Sequence, residues 1–376
     1  MTELTKLRKR LHKNPELSGS ESATASIIKK ELEFCKPDEI LENLGGSGIA
    51  ASFKAKYGST KKSLIFRAEL DAIAVEEETN LPYSSANPGV MHGCGHDGHM
   101  TILVGLAREL KKKRPENVNV HLLFQPAEET GKGAENVLVD KRFKQLNPGH
   151  AFALHNLPGY KEGLIYIKDG TFAAASTGIE ISFQGSYSHA AYPEQGKNPA
   201  LIVAELISEI EHRLADFKQA DELNKIVCTF IRMGEPAFGI SPGKATVGYT
   251  IRSATDEGLK SGVQKIEHLI KKAAESFSGD ITYRSVEPFR ATVNSTEGVQ
   301  IVKAAAEECS IEVQSLEKSF PWSEDFGQFR DACPITIFGL GAGEHVPPLH
   351  SETYDFNDKL ISTGVTVFSE IIEQYS

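Results

Sequence analysis

At 376 residues the chain exceeds what one hydrophobic core usually organises, so two domains are expected, and one can be inserted in the other. A formal net charge of −10 with 40% hydrophobic and 24% charged residues is ordinary for a globular protein. It argues against a nucleic-acid groove or an anionic membrane surface as the main partner, since both select basic surfaces, and leaves small molecules as the expected ligands.

The opening residues, MTELTKLRKRLHKNPEL, contain no apolar stretch of signal-peptide type, and no window reaches the ~18 uninterrupted apolar residues of a membrane span. The five cysteines, at 35, 94, 228, 309 and 333, are odd in number and scattered. That is the pattern of a reduced, cytoplasmic protein rather than of a disulfide framework. Four read as small core hydrophobes; Cys94, among polar and glycine neighbours, does not.

In chain order, Leu4, Leu7 and Leu11 recur at helical spacing, and a second helix is predicted from about Glu21 to Leu32. IAASFKA and SLIFRAELDA read as strands, the second ending in Glu69 and Asp71. MHGCGHDGHM, residues 91–100, reads as a loop running into the amphipathic helix TILVGLARELKKK, whose basic end compensates the helix dipole. VNVHLLF is a strand followed at once by QPAEETGKG, and GHAFALHNLPG is another apolar run, ending near His155. Strand, helix, strand in this order predicts an α/β fold, a mixed and mostly parallel sheet with helices on both faces. Ligands gather beyond the carboxyl ends of such strands, where Glu69/Asp71, Glu128/Glu129 and His155 all fall.

From about 174 the texture changes. GIEISFQGSYSHAAYP alternates, ALIVAELISEIEHRLADF is helical, IVCTFIRMG and KATVGYTIRS are strands, and a helix from about Asp256 to Phe277 precedes the strand DITYRSVE. This strand-helix-strand-strand-helix-strand order is that of a self-contained ferredoxin-like α+β domain, expected over 174–289 as an insertion. The tail returns to helix, strand and helix, so 1–173 and 290–376 are expected to form one domain.

Histidines in a loop are most often solvated or hydrogen-bonded, and that plain reading is kept for His92 and His99. Cys94 and His96, however, stand two apart across Gly95, which lets a tight loop aim an imidazole and a thiolate at one point; both bind zinc at ~2.0–2.3 Å. Further ligands must come from elsewhere. Glu128-Glu129 follows a strand, and consecutive extended residues point opposite ways, so one carboxylate can hold a metal while its neighbour exchanges protons with the reacting groups. Taken in isolation, Glu-Glu would read as a solvated acidic turn.

HGCGHDGH, FQPAEE, ALHN, GSYSHAAYP, SEDF and PPLHSE, with LRKRLHKNPELS near the start, together resemble the motif set of the dinuclear-metal amidohydrolases and metallopeptidases related to aminoacylases. The branch of hippurate hydrolases and plant auxin-conjugate (indole-acetyl-amino-acid) hydrolases is the most similar. The resemblance runs in order from about residue 7 to residue 351 and implies a zinc-exopeptidase-like catalytic domain, 1–173 with 290–376, carrying 174–289 as an inserted lid and dimerisation domain. It implies two divalent metal ions, zinc or manganese, bridged by Cys94 and held further by His96, Glu129, His155 and His350. It makes Glu128 the general acid/base, Asp71 a residue beside the site that orients a ligand imidazole, and His189 a donor to the developing oxyanion from its own or a partner subunit. Arg252 becomes the holder of the substrate carboxylate, since guanidinium grips carboxylates bidentately; the alternative, a surface strand arginine, stands beside it.

The implied reaction is hydrolysis of N-acyl amino acids to a carboxylic acid and an amino acid, by a chain that pairs as a homodimer through the inserted domain. A short-peptide metallopeptidase of the same fold and a non-catalytic binding protein are the alternatives. Two departures from the usual pattern stand out. RAELDA has Glu69 where an aspartate is common, apart from the inferred ligands, and AFGISP places Gly239 at or near the position of an asparagine expected by the substrate.

Overall fold

The computed structural model describes residues 2–58 and 63–375. The chain divides into two compact units, one made of Met1–Phe172, Thr292–Lys318 and Glu324–Ser376, the other of Ala173–Ala291 with Ser319–Ser323. The short piece Ser319–Ser323 goes beyond the expected 174–289 insert. It is bound to the second unit by the Ala174 N–H, which donates to the carbonyls of Phe320 and Trp322 at 3.1 and 3.0 Å.

In the first unit an eight-stranded sheet runs in the order Glu39–Leu44, Gly48–Phe53, Val120–Gln125, Ser63–Glu69, Pro148–Pro158, Ile335–Gly343, Ile165–Ile167, Val313–Ser315. The four middle strands from Val120–Gln125 to Ile335–Gly343 are mutually parallel; they are flanked by antiparallel pairings, and the edge strand Val313–Ser315 pairs parallel with Ile165–Ile167. Strands covered on both faces are apolar on both. Leu64, Phe66, Ala68, Leu122, Phe124 and Phe152 share a core with Leu7 and Leu11, Ile28 and Leu32, Ile102 and Leu106, Val299 and Val302, and Phe368 and Ile371. These come from the helices Glu3–Lys13, Ser22–Cys35, His96–Lys112, Thr296–Glu308 and Leu360–Tyr375. The opposite face, with Ile65, Leu123, Ala151, Ala153 and Ile337, is equally dry; the helix Gly133–Val139 packs against it at Val120–Gln125.

The chain leaves Ser63–Glu69 toward Val120–Gln125 on one side and leaves Pro148–Pro158 toward the opposite edge. The connections therefore diverge over two adjacent parallel strands, which opens a crevice at their carboxyl ends. The helix begins at His96 rather than near Thr101, so His96, Asp97 and His99 of the histidine motif lie in its first turn.

The second unit has the βαββαβ order Ala175–Gln184, Ala200–Arg213, Lys225–Met233, Lys244–Ser253, Asp256–Ser276, Asp280–Phe289. Its antiparallel sheet runs 225–233, 244–253, 175–184, 280–289, the ferredoxin-like arrangement. Ile179, Ile181, Phe183, Val247, Tyr249 and Ile251 alternate onto the face covered by Leu206, Ile210, Ile266 and Ile270. Thr255 starts the long helix by accepting the Gly258 N–H at 3.0 Å. No helix among the described residues is long and apolar enough to cross a membrane.

Candidate metal centre

Gly95 has φ +91°, and a Cβ there would stand 2.5 Å from Asn156 Oδ1 and 2.8 Å from Tyr354 Oη. Only glycine fits this turn, and the turn swings Cys94 and His96 toward one point. Cys94 Sγ lies 3.6 Å from His155 Nε2. His155 Nδ1 donates to the Asn156 carbonyl at 2.9 Å and His96 Nδ1 to the Asp71 carbonyl at 2.8 Å. Each bond fixes the tautomer and turns a bare Nε2 inward. His350, its backbone N–H bonded to the Gly93 carbonyl at 2.9 Å, brings Nε2 to 3.8 Å from Glu129 Oε1.

The ligand atoms of Cys94, His96 and His155 lie within 4.8 Å of one another, and so do those of Cys94, Glu129 and His350. Cys94 belongs to both sets. Five residues from four distant stretches of sequence thus lie close together, with Glu128 Oε2 4.0 Å and Glu129 Oε1 3.9 Å from His96 Nε2.

Three expectations about local geometry need correction. Glu128 and Glu129 are not extended: they form a 3-10 turn, Glu128–Thr130, entered through Ala127 at φ +53° and ψ +40°. Both carboxylates consequently face His96, their oxygens and its nitrogen lying within 4.8 Å of one another. Asp71 orients the His96 imidazole with its backbone carbonyl, its Oδ1 standing 3.6 Å away; its Oδ2 accepts the Ser18 hydroxyl at 2.7 Å and the Glu129 N–H at 3.0 Å. Glu69 is not apart from the ligands. It accepts His99 Nδ1–H at 2.8 Å and falls in one cluster with His96 and His99.

Burial pushes the Cys94 thiol up, raises Glu128 well above the usual carboxylate range and Glu129 to about 7, and lowers His155 to about 3. For Glu128 the nearby Glu324, Glu129 and Asp325 add to this. Burial likewise lowers His350. Burial would also lower His96, but Cys94, Glu69 and Asp71 outweigh it and hold the imidazole's proton affinity up. Burial and like charge thus favour the neutral forms of these donors, an environment that a bound cation offsets. His96 Nε2 and Glu129 Oε1 are buried without a hydrogen-bond partner. Ligand atoms bound to one ion at ~2.0–2.3 Å stand roughly 3.3–3.8 Å apart. The spacings here, 3.6 Å for Cys94–His155 and 3.8 Å for His350–Glu129, fit that requirement.

Sequence reasoning missed the charged residues that surround these ligands. Arg67, fully buried, bonds Gln125 at 2.9 Å, Glu324 at 2.9 Å, Asp325 at 2.7 Å and also Glu69. The Asp325 N–H donates in turn to Glu128 Oε1 at 3.3 Å. His92 and His99 are buried rather than solvated; His99 is hydrogen-bonded, through Nε2 to Asn156 Oδ1 at 2.6 Å as well as to Glu69. Burial disfavours a charged His12, yet Asp97 at 2.8 Å and Glu77 at 3.2 Å raise it to about 10, so it stays an imidazolium. Glu324 and Asp325 belong to SEDF, Asn156 to ALHN and His12 to LRKRLH, so these motifs are the signal in the sequence that marks them.

Two expected residues belong to the second unit. His189 is exposed on the short strand Ser188–His189, which pairs with Ile240–Ser241; the Ala191 N–H donates to its Nδ1 at 3.0 Å, so the proton of the neutral ring is on Nε2. Gly239 sits beside it, its carbonyl accepting the Ala190 N–H at 2.9 Å. Arg252 is half-buried on the strand Lys244–Ser253, and its Nη1 donates to the Pro321 carbonyl and the Ser323 hydroxyl, both at 3.0 Å.

A hippurate hydrolase of Campylobacter jejuni is 31% identical over 378 residues, covering 99% of this chain and 96% of its own. An N-acetyldiaminopimelate deacetylase of Enterococcus faecalis is 28% identical over 99% of this chain and 97% of its own, and an IAA-amino acid hydrolase of Arabidopsis thaliana 29% over 98% and 86%. Among solved structures, a Bacillus subtilis protein described as a dinuclear metal binding peptidase from the M20 family superposes with a TM-score of 0.80 at 23% identity, covering 99% of this chain and 97% of its own. The model of peptidase family M20/M25/M40 matches residues 65–374, and with nearly full-length similarity on both sides the chain belongs to that family.

Proposed function

We propose that this chain is a metal-dependent amidohydrolase that cleaves N-acyl amino acids to a carboxylic acid and an amino acid. The observation that carries the reading is the pair of donor sets sharing Cys94, with Glu128 facing the same point. The relatives named as hydrolases and deacetylases of acylated amino acids support the substrate class. Cys94, His96, Glu129, His155 and His350 would hold two divalent cations, zinc or manganese; thiolate and imidazole favour zinc, while carboxylates suit manganese as well. When bound, the cations supply Lewis-acid charge that brings the pKa of water from ~15.7 toward neutrality and offsets charge on the reacting carbonyl.

Glu128 then takes the proton of the attacking water and returns it to the leaving nitrogen. Its carboxylate is suited to both steps, because burial and the neighbouring acids raise its proton affinity. His189 presents an Nε2–H suited to the oxyanion, and Arg252 a cation suited to the substrate carboxylate. The second unit acts as lid and as dimer surface: its edge strand exposes Val227 and Ile231, each at 52%. The cysteines all being free thiols supports a reducing compartment, the cytoplasm.

The test is release of free amine from N-acetyl and N-benzoyl amino acids, and from dipeptides, after chelation and restoration of zinc or manganese. Cation-dependent turnover of the acyl amides is expected. Preference for dipeptides would favour the peptidase alternative, and no turnover of either class would refute the reading.

A further inference from the structure

We propose that Glu21 is a positioning residue, which clamps Ala127 in its left-handed conformation and so aims Glu128 and Glu129 into the metal centre. This rests on the proposed roles of those two carboxylates. Glu21 is fully buried. Its Oε1 accepts the N–H of Gly19 at 2.6 Å and that of Ala127, more than a hundred residues away, at 2.9 Å. Two residues on, the Glu129 N–H is held by Asp71 Oδ2, which also accepts the Ser18 hydroxyl. The Pro126–Ala127 and Glu128–Glu129 peptide units, which bracket the turn through Ala127 and Glu128, are thus gripped by carboxylates, one belonging to the N-terminal segment and the other tied to it.

The grip is needed because Ala127, at φ +53°, adopts a conformation that costs any residue with a Cβ. Its carbonyl accepts the Gly133 N–H and the Thr130 hydroxyl, both at 3.1 Å, so the conformation is bound at both ends. Relaxing it to the right-handed region would turn the next two side chains away from His96. Glu21 Oε2 is buried without a partner, a costly arrangement for packing alone. The N-terminal segment around Glu21 therefore has a role at the metal centre although it supplies no ligand.

Glu21→Ala should weaken zinc binding at least tenfold, read by competition with a chromophoric chelator, and lower kcat at least tenfold with KM changed less than threefold. Adding Ala127→Gly should recover most of both losses, because glycine adopts positive φ without the clamp; melting temperatures of both variants, measured alongside, separate this recovery from a general gain in stability. Glu21→Gln keeps an acceptor at Oε1 and should stay near wild type. A folded Glu21→Ala protein with wild-type zinc affinity overturns the proposal, as does a double variant no better than the single one. If Glu21→Ala does not fold, the double variant must recover folding, and failure of both alike is equally decisive. A wild type that binds zinc but hydrolyses no acyl amide sinks the proposed substrate class while the affinity measurements still decide on Glu21; one that binds no metal removes both.

Discussion

Replacing Glu128 by glutamine separates chemistry from architecture. In the structure its Oε1 accepts the Asp325 N–H at 3.3 Å, and a glutamine carbonyl can accept the same bond. What disappears is the proton acceptor. General acid–base catalysis by one positioned group is worth about 10²–10⁴ in rate, or ~2.7–5.5 kcal/mol of barrier, and kcat should fall by that factor with KM and metal content little changed. Stability should move the other way. Glu128, Glu324 and Asp325 have carboxylate oxygens within 4.8 Å of one another, with Arg67 paired to Glu324 and Asp325. A neutral amide at 128 relieves that repulsion, so the variant should melt no lower than wild type. Steady-state kinetics on an N-acyl amino acid, elemental analysis and a thermal scan read the three quantities. A kcat within tenfold of wild type at full metal occupancy would remove Glu128 from the mechanism.

Cys94→Ala removes the donor common to both ligand sets and should lower metal content per chain by at least one ion; full occupancy by elemental analysis would refute the bridging role. Arg67→Met strands Glu69, Glu324 and Asp325 without their buried cation and should cost about 3–5 kcal/mol, read by urea unfolding; a loss under ~1 kcal/mol would show that these acids are compensated otherwise. Acid stability provides another check. Burial holds both His121 and His150 at about 4, against 6.5 when unfolded. With the folded value the lower, their contribution is full above pH ~6.5 and is lost as pH falls toward about 4, by roughly 3 kcal/mol each. Replacing His121 by Gln should flatten the wild-type loss over that window, and identical pH slopes would contradict the assignment.

What could be read from the sequence follows from which signals are local. Strands such as SLIFRAE and PITIFGLG are marked by apolar runs and helices such as TILVGLARELKKK by periodicity, and all three form, the helix beginning earlier, at His96. The edge strand Glu39–Leu44 was missed because it is largely exposed and shows no alternation. Ile165–Ile167 and Val313–Ser315 are too short to carry a period. The Glu128–Glu129 turn escaped for a different reason. Left-handed backbone is usually flagged by glycine or asparagine, whereas here alanine adopts it under tertiary constraint, and nothing in FQPAEE marks that. Arg67, Glu324 and Asp325 were passed over because charged residues are mostly exposed; only a partner distant in sequence makes their burial tolerable.

That last point bears on why the site is built from so many separate stretches. An ion pair between neighbours in sequence can survive in the unfolded chain, but Arg67 with Asp325, or His12 with Asp97, meets only when the parallel sheet has assembled. Each pairing is therefore a condition on the fold as well as on the site. The sheet supplies the meeting place, because the loops that follow its middle strands open on one rim. The excess acid there, with Glu129 and Asp325 each raised to about 7, is an electrostatic cost to the fold. Divalent ions would remove that cost when they bind, so metal affinity and fold stability draw on the same buried carboxylates.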